Sequence, residues 1–202
     1  MTVPQRLTER KREAILQAAI AEFRSSGFEV TSMDRIAATA GVSKRTVYNH
    51  FPSKEALFAE ILNRLWSSIS AEQDTVYCPE KPLREQLRVL LQVKLRMLAD
   101  ENLLDLARIA IAATIHSPER AQDMVGRMGE REEGLTVWIR QAHADGRLKP
   151  MDPAFAAQQV HGLIKIFAFW PQISMGQPSL TEAEQAQVIE SALDMFLACY
   201  QR

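Results

Sequence analysis

Two very short segments within residues 31–54 carry signals for both ends of a helix. Ser32 precedes the first segment and Gly41 follows it, while Ser43 precedes the second segment and Pro52 follows it. Serine accepts hydrogen bonds from the free N–H groups of a helix N-terminus, glycine adopts the positive φ at which helices end, and proline cannot continue a helix. Residues 31–54 are therefore predicted to form two short helices joined by a tight turn, the arrangement of a helix-turn-helix unit.

The apolar residues of this unit stand where two crossing helices need them. Ala37 is small enough for the crossing point, and Gly41 occupies the turn. On a helical wheel of residues 43–51, Val47 and Phe51 point in one direction, toward a core. The opposite side of the second helix is then available to solvent or to a ligand.

The side chains on that opposite side are hydrogen-bond donors. Arg45 can bind O6 and N7 of guanine through two hydrogen bonds, and Asn49 can bind adenine in the same way. Contacts with phosphates fix the register of a protein on DNA without specifying sequence. The residues suited to phosphate contacts, through side chains or through the N–H groups of helix N-termini, are Thr31, Ser32, Lys44, Thr46, Tyr48, His50 and Lys54.

Charge is distributed unevenly along the chain. Residues 1–54 contain nine Lys or Arg and five Asp or Glu, whereas residues 55–202 contain fifteen and twenty. The basic N-terminal part fits a polyanionic partner such as DNA, although ordinary surface charge gives the same balance.

The rest of the chain shows helical periodicity and no convincing strand. A first helix is expected from about Thr8 to Gly27, and the two prolines of residues 75–82 mark a linker. Residues 171–179 are expected to form a loop. Further helices are expected over 53–74, 83–99, 102–116, 117–145 (where glycines favour a bend or a break), from 152, and from the capping box of Thr181 and Glu184. The predicted fold class is all-α.

Several classes of protein are not favoured by the composition. No run of about 18 uncharged apolar residues is present, so no transmembrane helix is expected, and the charged N-terminus does not resemble a signal peptide. Cys78 and Cys199 have no further ligand at metal-binding spacing, so we expect reduced thiols, no metal and no cofactor. These features together favour a cytoplasmic protein.

Residues 10–56 resemble the DNA-binding domain of the TetR family of bacterial transcriptional regulators. The resemblance lies above all in "IAATAGVS", "TVYNHF" and "SKEALF". It implies an all-helical homodimer with an N-terminal three-helix DNA-binding domain at residues 1–54 and an effector-binding and dimerisation domain at 55–202, connected by helix 53–74. It also implies that repression released by a ligand is the commonest outcome. "LLDLARIAIAATIHSPERA" and "VHGLIKIFAFWPQ" resemble the AefR and AcrR subgroup.

Two apolar seams near the C-terminus predict the dimer contact, which the family places in its last two helices. Their members recur at spacings of three and four residues, as on one face of a helix. Two copies of this helix pair would form a four-helix bundle on a two-fold axis, and the DNA site would be a palindromic operator. The predicted interface residues are Ala156, Val160, Leu163, Phe167, Trp170, Ile189, Leu193, Phe196 and Tyr200.

Methionine and aromatic residues suit an adaptable pocket for a small apolar or aromatic effector. Each apolar side chain of this set taken alone is better explained by ordinary core packing, and Arg108 is as well explained by an ion pair with Asp105 or Glu101. The residues predicted to line the pocket are Trp66, Met97, Arg108, Ile109, Ile111, His116, Met124, Met128, Trp138 and Ile164.

Two other functions compete with this interpretation. Catalysis is weakly supported because Ser117, Cys78 and Cys199 lack a base and an orienting group at a known spacing. The second alternative is a ligand-independent or partner-controlled DNA-binding factor of architectural type, whose C-terminal core would be filled. A cavity in the C-terminal part would favour the ligand sensor over this alternative.

Overall fold

The computed structural model describes residues 3–70, 76–115, 117–122 and 134–202. In these ranges the only β-type pairing is an isolated bridge between Leu148 and Gln201, so the predicted all-α class is confirmed. A further helical segment covers residues 118–122. The named helices are α1 (Val3–Ser26), α2 (Met33–Thr39), α3 (Lys44–His50), α4 (Lys54–Ser70), α5 (Leu83–Leu98), α6 (Glu101–Thr114), α7 (Gly134–Ala144), α8 (Pro153–Ala168), α9 (Trp170–Ser174) and α10 (Glu182–Tyr200).

Both serine caps of the helix-turn-helix unit are present. Ser32 Oγ accepts a hydrogen bond from Arg35 N at 3.3 Å, and Ser43 Oγ accepts one from Thr46 N at 3.2 Å. Gly41 has a φ of +65°, which an L-residue with a side chain rarely adopts. The sequence signals therefore predicted the ends of α2 and α3 correctly.

Two helix boundaries differ from the prediction. α1 begins at Val3 rather than near Thr8, because Pro4 is tolerated in the first turn of a helix, where its missing N–H has no partner to lose. Residues Trp170–Ser174 form α9 inside the segment predicted to be a loop, with Pro171 again in the first turn. The capping box of Thr181 and Glu184 is confirmed.

The chain divides into two compact units. The first contains Met1–Ser67 with Asp105–Met128, and the second contains Ser68–Leu104 with Gly129–Arg202. Two of the three divisions between the units fall within helices, in α4 and in α6, and the third lies outside the described residues. The domain boundary proposed between residues 54 and 55, and the role of residues 53–74 as a connection, stay predictions.

The core of the first unit lies between α1, α2, α3 and α4. Its aromatic centre is formed by Phe23, Phe28 and Phe58, with ring centroids 5.2 Å and 5.1 Å apart for the consecutive pairs. Arg64 on α4 donates to both carboxylate oxygens of Glu13 on α1, and its guanidinium lowers the pKa of Glu13 to about 2. This packing gives α3 a rigid core against which its apolar side packs.

The second unit is built around α8, which packs against α7, α9 and α10, while α10 also packs against α5. Arg84 and Arg88 on α5 form ion pairs with Glu190 on α10. Cys78 is half-buried and Cys199 is exposed, and both are free thiols. None of the described helices combines the length and the hydropathy that crossing a bilayer requires.

Candidate nucleic-acid interface

α3 presents polar side chains on one side and core residues on the other. Val47 has no exposed surface and Phe51 is 3% exposed, so these two residues attach α3 to the first unit. Arg45 and Asn49 are exposed, and Tyr48 retains 43% of its surface. The helical wheel therefore predicted the two faces of α3 correctly.

Arg45 and Asn49 lie four residues apart, one turn along the same face. Within the described part of the chain, neither side chain has a hydrogen-bond or ion-pair partner, so their donors point into solvent. Unpaired donors on an exposed, otherwise anchored helix are suited to the edges of bases in a major groove.

The flanks of α3 carry groups that already have partners. Lys44 Nζ lies 2.8 Å from Asp34 Oδ1, and the Asp34 carboxylate raises the pKa of Lys44 above its ordinary value. Thr46 Oγ1 and Ser43 Oγ share a hydrogen bond of 2.8 Å. His50 is half-buried at the last position of α3. A phosphate contact by Lys44 requires that its ammonium leaves Asp34 or contacts both groups.

The side chain of Thr31 is not available to a phosphate, and a contact through its backbone N–H stays a prediction. The residue is only 2% exposed, and its hydroxyl donates to the carbonyls of Gly27 (2.8 Å) and Glu22 (3.2 Å). These bonds hold the turn between α1 and α2, so Thr31 belongs to the packing of the first unit. Ser32 is exposed and begins α2.

Lys54 was predicted to contact phosphate, but its ammonium is directed to the protein. Lys54 Nζ donates to the carbonyl oxygens of Phe28 at 2.6 Å and Glu29 at 3.1 Å. It also lies 4.5 Å from the centroid of the Phe28 ring, a cation–π geometry. The structure therefore assigns Lys54 a positioning contact with the turn that precedes α2.

The substitution Lys54→Gln tests this assignment. We expect the free energy of unfolding to fall by about 1–2 kcal/mol, because a charge-assisted hydrogen bond and a cation–π contact are lost. The slope of log K for DNA against log salt should not change, since no phosphate contact is removed. The matched variant Lys44→Gln should show the reverse, with little loss of stability and a slope smaller by about one. A smaller salt slope in Lys54→Gln would show that Lys54 contacts phosphate.

A half-buried glutamate that the sequence did not reveal positions α2. Glu22 on α1 accepts a hydrogen bond from Thr39 Oγ1 at 2.6 Å and lies 2.7 Å from the guanidinium of Arg35. Both partners are on α2, so one side chain fixes that helix against α1. Glutamate in the middle of a helix is usually solvated, and only the distance to α2 distinguishes this one.

The residues predicted to bind an effector are divided between the two units. In the second unit, Trp138 and Ile164 have no exposed surface and Met97 is 7% exposed. Trp138 Nε1 donates to Gln86 Oε1 at 3.3 Å, so the indole N–H is already satisfied inside the core. These three side chains are buried in this structure, and their role in an effector pocket stays a prediction.

The remaining predicted effector residues have mixed outcomes. Arg108 forms the expected ion pair with Asp105 at 2.7 Å, and Ile111 beside it is half-buried. Ile109 is 3% exposed. The side chain of Trp66 and the residues His116, Met124 and Met128 lie outside the described residues.

One open cavity lies on the second unit, near the ends of α5 and α10. Its volume is about 610 Å³. None of the predicted effector residues lines it; the lining residues are Pro82, Leu83, Arg84, Arg147, Asp194, Leu197, Ala198 and Gln201. Across the described ranges there is no group of three His, Cys, Asp or Glu side chains with the geometry of a metal site.

Most of the predicted dimer seam is buried within one protomer. Ala156, Val160, Ile189, Leu193 and Phe196 are at most 4% exposed, so they form the core between α8 and α10. Leu163 and Tyr200 are half-buried, and only Phe167 (53%) and Trp170 (45%) offer large exposed surfaces. The predicted set thus combines five buried residues with two exposed ones, because both faces of these helices carry apolar residues at helical spacing.

The outer face of the same helices carries an exposed apolar surface, which we call the outer patch. It consists of Phe155, Ile166, Phe167 and Trp170 at the α8–α9 side and Met195 on α10, each between 45% and 56% exposed. Gly162 lies between Phe155 and Ile166 on α8, and a Cβ added there would meet open space. Exposed large apolar residues that cluster on a helix face mark interaction sites.

Known proteins resemble this chain over nearly its full length. The family model of bacterial regulatory proteins of the tetR family matches residues 15–61. The model of the C-terminal domain of AefR-like transcriptional repressors matches residues 85–202. The second match agrees with the subgroup suggested by the sequence.

One similar solved crystal structure is that of a TetR family transcriptional regulator from Pseudomonas syringae pv. tomato, whose sequence is 59% identical to this chain. The match covers 95% of this chain and 96% of that one, with a TM-score of 0.84. The solved structure of the flavonoid-responsive regulator FrrA is 30% identical, with coverages of 96% and 98% and a TM-score of 0.70. The transcriptional regulator RutR of Escherichia coli is 28% identical over 172 residues, which is 83% of this chain and 79% of RutR. With an anchored α3, exposed donors and these matches, the chain belongs to the TetR family of bacterial transcriptional regulators.

Proposed function

We propose that the chain represses transcription by binding a palindromic operator as a homodimer, with Arg45 and Asn49 contacting bases. The observation that carries this proposal is the pair of unpartnered donors on the exposed face of α3, whose other face is fixed by Val47 and Phe51. Lys44, Thr46, Tyr48 and His50 surround this pair and are suited to phosphate oxygens. Ser32 contributes through the N-terminus of α2.

The outer patch supports a homodimer. It combines Phe155, Ile166, Phe167 and Trp170 with the side-chain-free surface of Gly162, where a second helix can approach closely. A two-fold axis through such a patch would bring the same surface of each protomer together. The two α3 helices would then meet successive major grooves at about 34–36 Å, so half-sites should be about one turn apart.

A small apolar or aromatic effector would release the operator. Support comes from the AefR-like repressor match over residues 85–202 and from the flavonoid-responsive relative FrrA. The effector would bind more tightly to a protomer arrangement that does not fit the operator and would shift the population toward it. The protein would act in the cytoplasm by binding alone, without a catalytic step.

The alternative of a ligand-independent architectural factor has less support. Trp138, Ile164 and Met97 are buried, which fits the filled core of that alternative and also fits the lining of an enclosed cavity. The C-terminal match, however, is to a domain of transcriptional repressors, and it covers the whole of residues 85–202. A repressor with an effector therefore remains the favoured function.

The proposal is tested by titrating the purified protein onto its own upstream DNA in the presence of excess nonspecific competitor. We expect binding that survives the competitor and that weakens steeply as salt increases, as phosphate contacts require. A panel of apolar aromatic compounds, flavonoids included, is then added to the complex. Release by a member of the panel supports the sensor; stable complexes with every member support the ligand-independent factor.

A further inference from the structure

Two cations from distant parts of the sequence lie over one aromatic ring in the first unit. Lys54 Nζ and the guanidinium carbon of Arg120 are each 4.5 Å from the ring centroid of Phe28. Phe28 is 5% exposed and also contacts Phe23 and Phe58. We call Phe28, Glu29, Lys54 and Arg120 the Phe28 cluster.

Two positive charges over one ring repel each other unless each also has a hydrogen-bond or ion-pair partner. Lys54 has the carbonyl oxygens of Phe28 and Glu29, and Arg120 has the Glu29 carboxylate at 2.6 Å. Arg120 also lies 3.4 Å from the carbonyl oxygen of Ala113 near the end of α6. The cluster therefore holds two cations and one carboxylate, and removing Arg120 leaves the Glu29 carboxylate without its guanidinium.

The cluster is located at the turn that begins the DNA-binding surface. Gly27 ends α1 with a φ of +80°, Phe28 and Glu29 follow, and Thr31 and Ser32 lead into α2. α2 in turn packs against α3. Any change in the placement of residues 28–29 is thus transmitted to the start of α2, within one packed unit.

Arg120 belongs to a part of the sequence outside the DNA-binding motif. It lies in the helical segment 118–122, within the range matched by the C-terminal repressor domain, and yet it packs in the same compact unit as α1 to α3. Asp105 on α6 and Arg24 at the end of α1 form a second ion pair near the same turn, with 2.5 Å between the guanidinium and the carboxylate. Asp105 and Arg120 therefore contact the end of α1 and the turn after it.

We propose that Arg120 is a positioning residue of the DNA-binding surface, which holds Phe28 and Glu29 in place and so makes operator affinity depend on the placement of the helical residues 118–122. This inference rests on the proposed function, because it names how the DNA-contacting surface is regulated. Arg120 acts on DNA only through the turn: its guanidinium is occupied by the Phe28 ring and Glu29, and its side chain is 32% exposed.

The test compares Arg120→Gln with Arg120→Lys, Glu29→Gln and the double variant. Operator affinity, nonspecific affinity and the salt slope are measured by fluorescence anisotropy, and amide hydrogen exchange is followed over residues 27–33. Arg96→Gln is the matched control, because Arg96 is an exposed arginine of the second unit. Thermal unfolding of each variant confirms that it is folded.

We expect Arg120→Gln to weaken operator binding about fivefold, in line with one lost cation–π contact and ion pair. Nonspecific affinity and the salt slope should stay unchanged, exchange over residues 27–33 should rise, and Arg120→Lys should restore the wild-type behaviour. The effects of Arg120→Gln and Glu29→Gln should not add, because each variant breaks the same pair.

Three results would overturn the proposal: a salt slope reduced by about one, which makes Arg120 a phosphate contact; operator affinity equal to that of Arg96→Gln; or unchanged exchange over residues 27–33. The exchange measurement does not use DNA. If wild-type protein fails to bind any operator, the proposed function fails, and the exchange data still decide whether Arg120 holds the turn.

Discussion

Arg45→Ala and Asn49→Ala are each expected to reduce operator affinity by about 10- to 100-fold, which corresponds to about 1–3 kcal/mol for one bidentate base contact. The loss should be selective: nonspecific affinity should change little, and discrimination should relax at one base pair for each variant. Both side chains are exposed and unpartnered in the described structure, so stability should stay within about 0.5 kcal/mol of wild type. Competition binding against a series of single-base operator variants measures these effects.

Arg96→Ala is the control for the Arg45 variant, because it removes an exposed arginine from the second unit. It should leave both affinities unchanged. A uniform loss over all sequences in Arg45→Ala, with a salt slope smaller by about one, would show that Arg45 contacts phosphate. Base specificity would then have to come from other residues of α3.

Gly162→Gln is expected to separate the dimer while it stabilises the protomer. A side chain at position 162 meets open space within one chain, and replacing glycine in a helix gains about 0.5–1 kcal/mol. In a dimer formed through the outer patch, the same side chain would stand between two closely packed helices. We expect monomers in analytical ultracentrifugation and a loss of operator affinity of about 100-fold, because the two half-sites no longer bind as one event.

Ile166→Glu is expected to act in the same direction by placing a charge in the outer patch. Val89→Glu is its control, since Val89 is an exposed apolar residue of α5 that lies outside the patch. This control should remain dimeric and bind DNA normally. If Gly162→Gln and Ile166→Glu are both dimeric with full operator affinity, the dimer is formed by another surface.

The two faces of the helix-turn-helix unit could be predicted because local signals determine them. Ser32, Ser43 and Gly41 act on their own or neighbouring backbone groups, and the period of the helix places Val47 and Arg45 on opposite sides. Capping and helical periodicity are interactions within a few residues. They need no knowledge of what packs on either side.

The choice of dimer face could not be predicted, because α8 and α10 are apolar on two faces. The inner series with Val160 and Leu193 and the outer series with Phe155 and Ile166 both recur at helical spacing. Periodicity identifies the apolar faces of a helix, but it does not show which face packs within the protomer and which stays exposed. Only the packing of α8 against α7 and α10 shows that the inner face is buried within the protomer.

The roles of Thr31, Lys54 and Trp138 depended on tertiary structure in the same way. A threonine before a helix, a lysine at the start of one and a tryptophan in an apolar segment are each compatible with exposure and with burial. Lys54 and Trp138 bind groups that are 26 and 52 residues away, and Thr31, which binds the nearby carbonyl of Gly27, is buried by the packing of the first unit. The sequence by itself determined the helices, their caps and the outward face of α3, since these follow from local backbone chemistry. Only the tertiary structure decided which polar groups are already satisfied and which apolar face stays open, because both depend on chain segments that come together from distant positions.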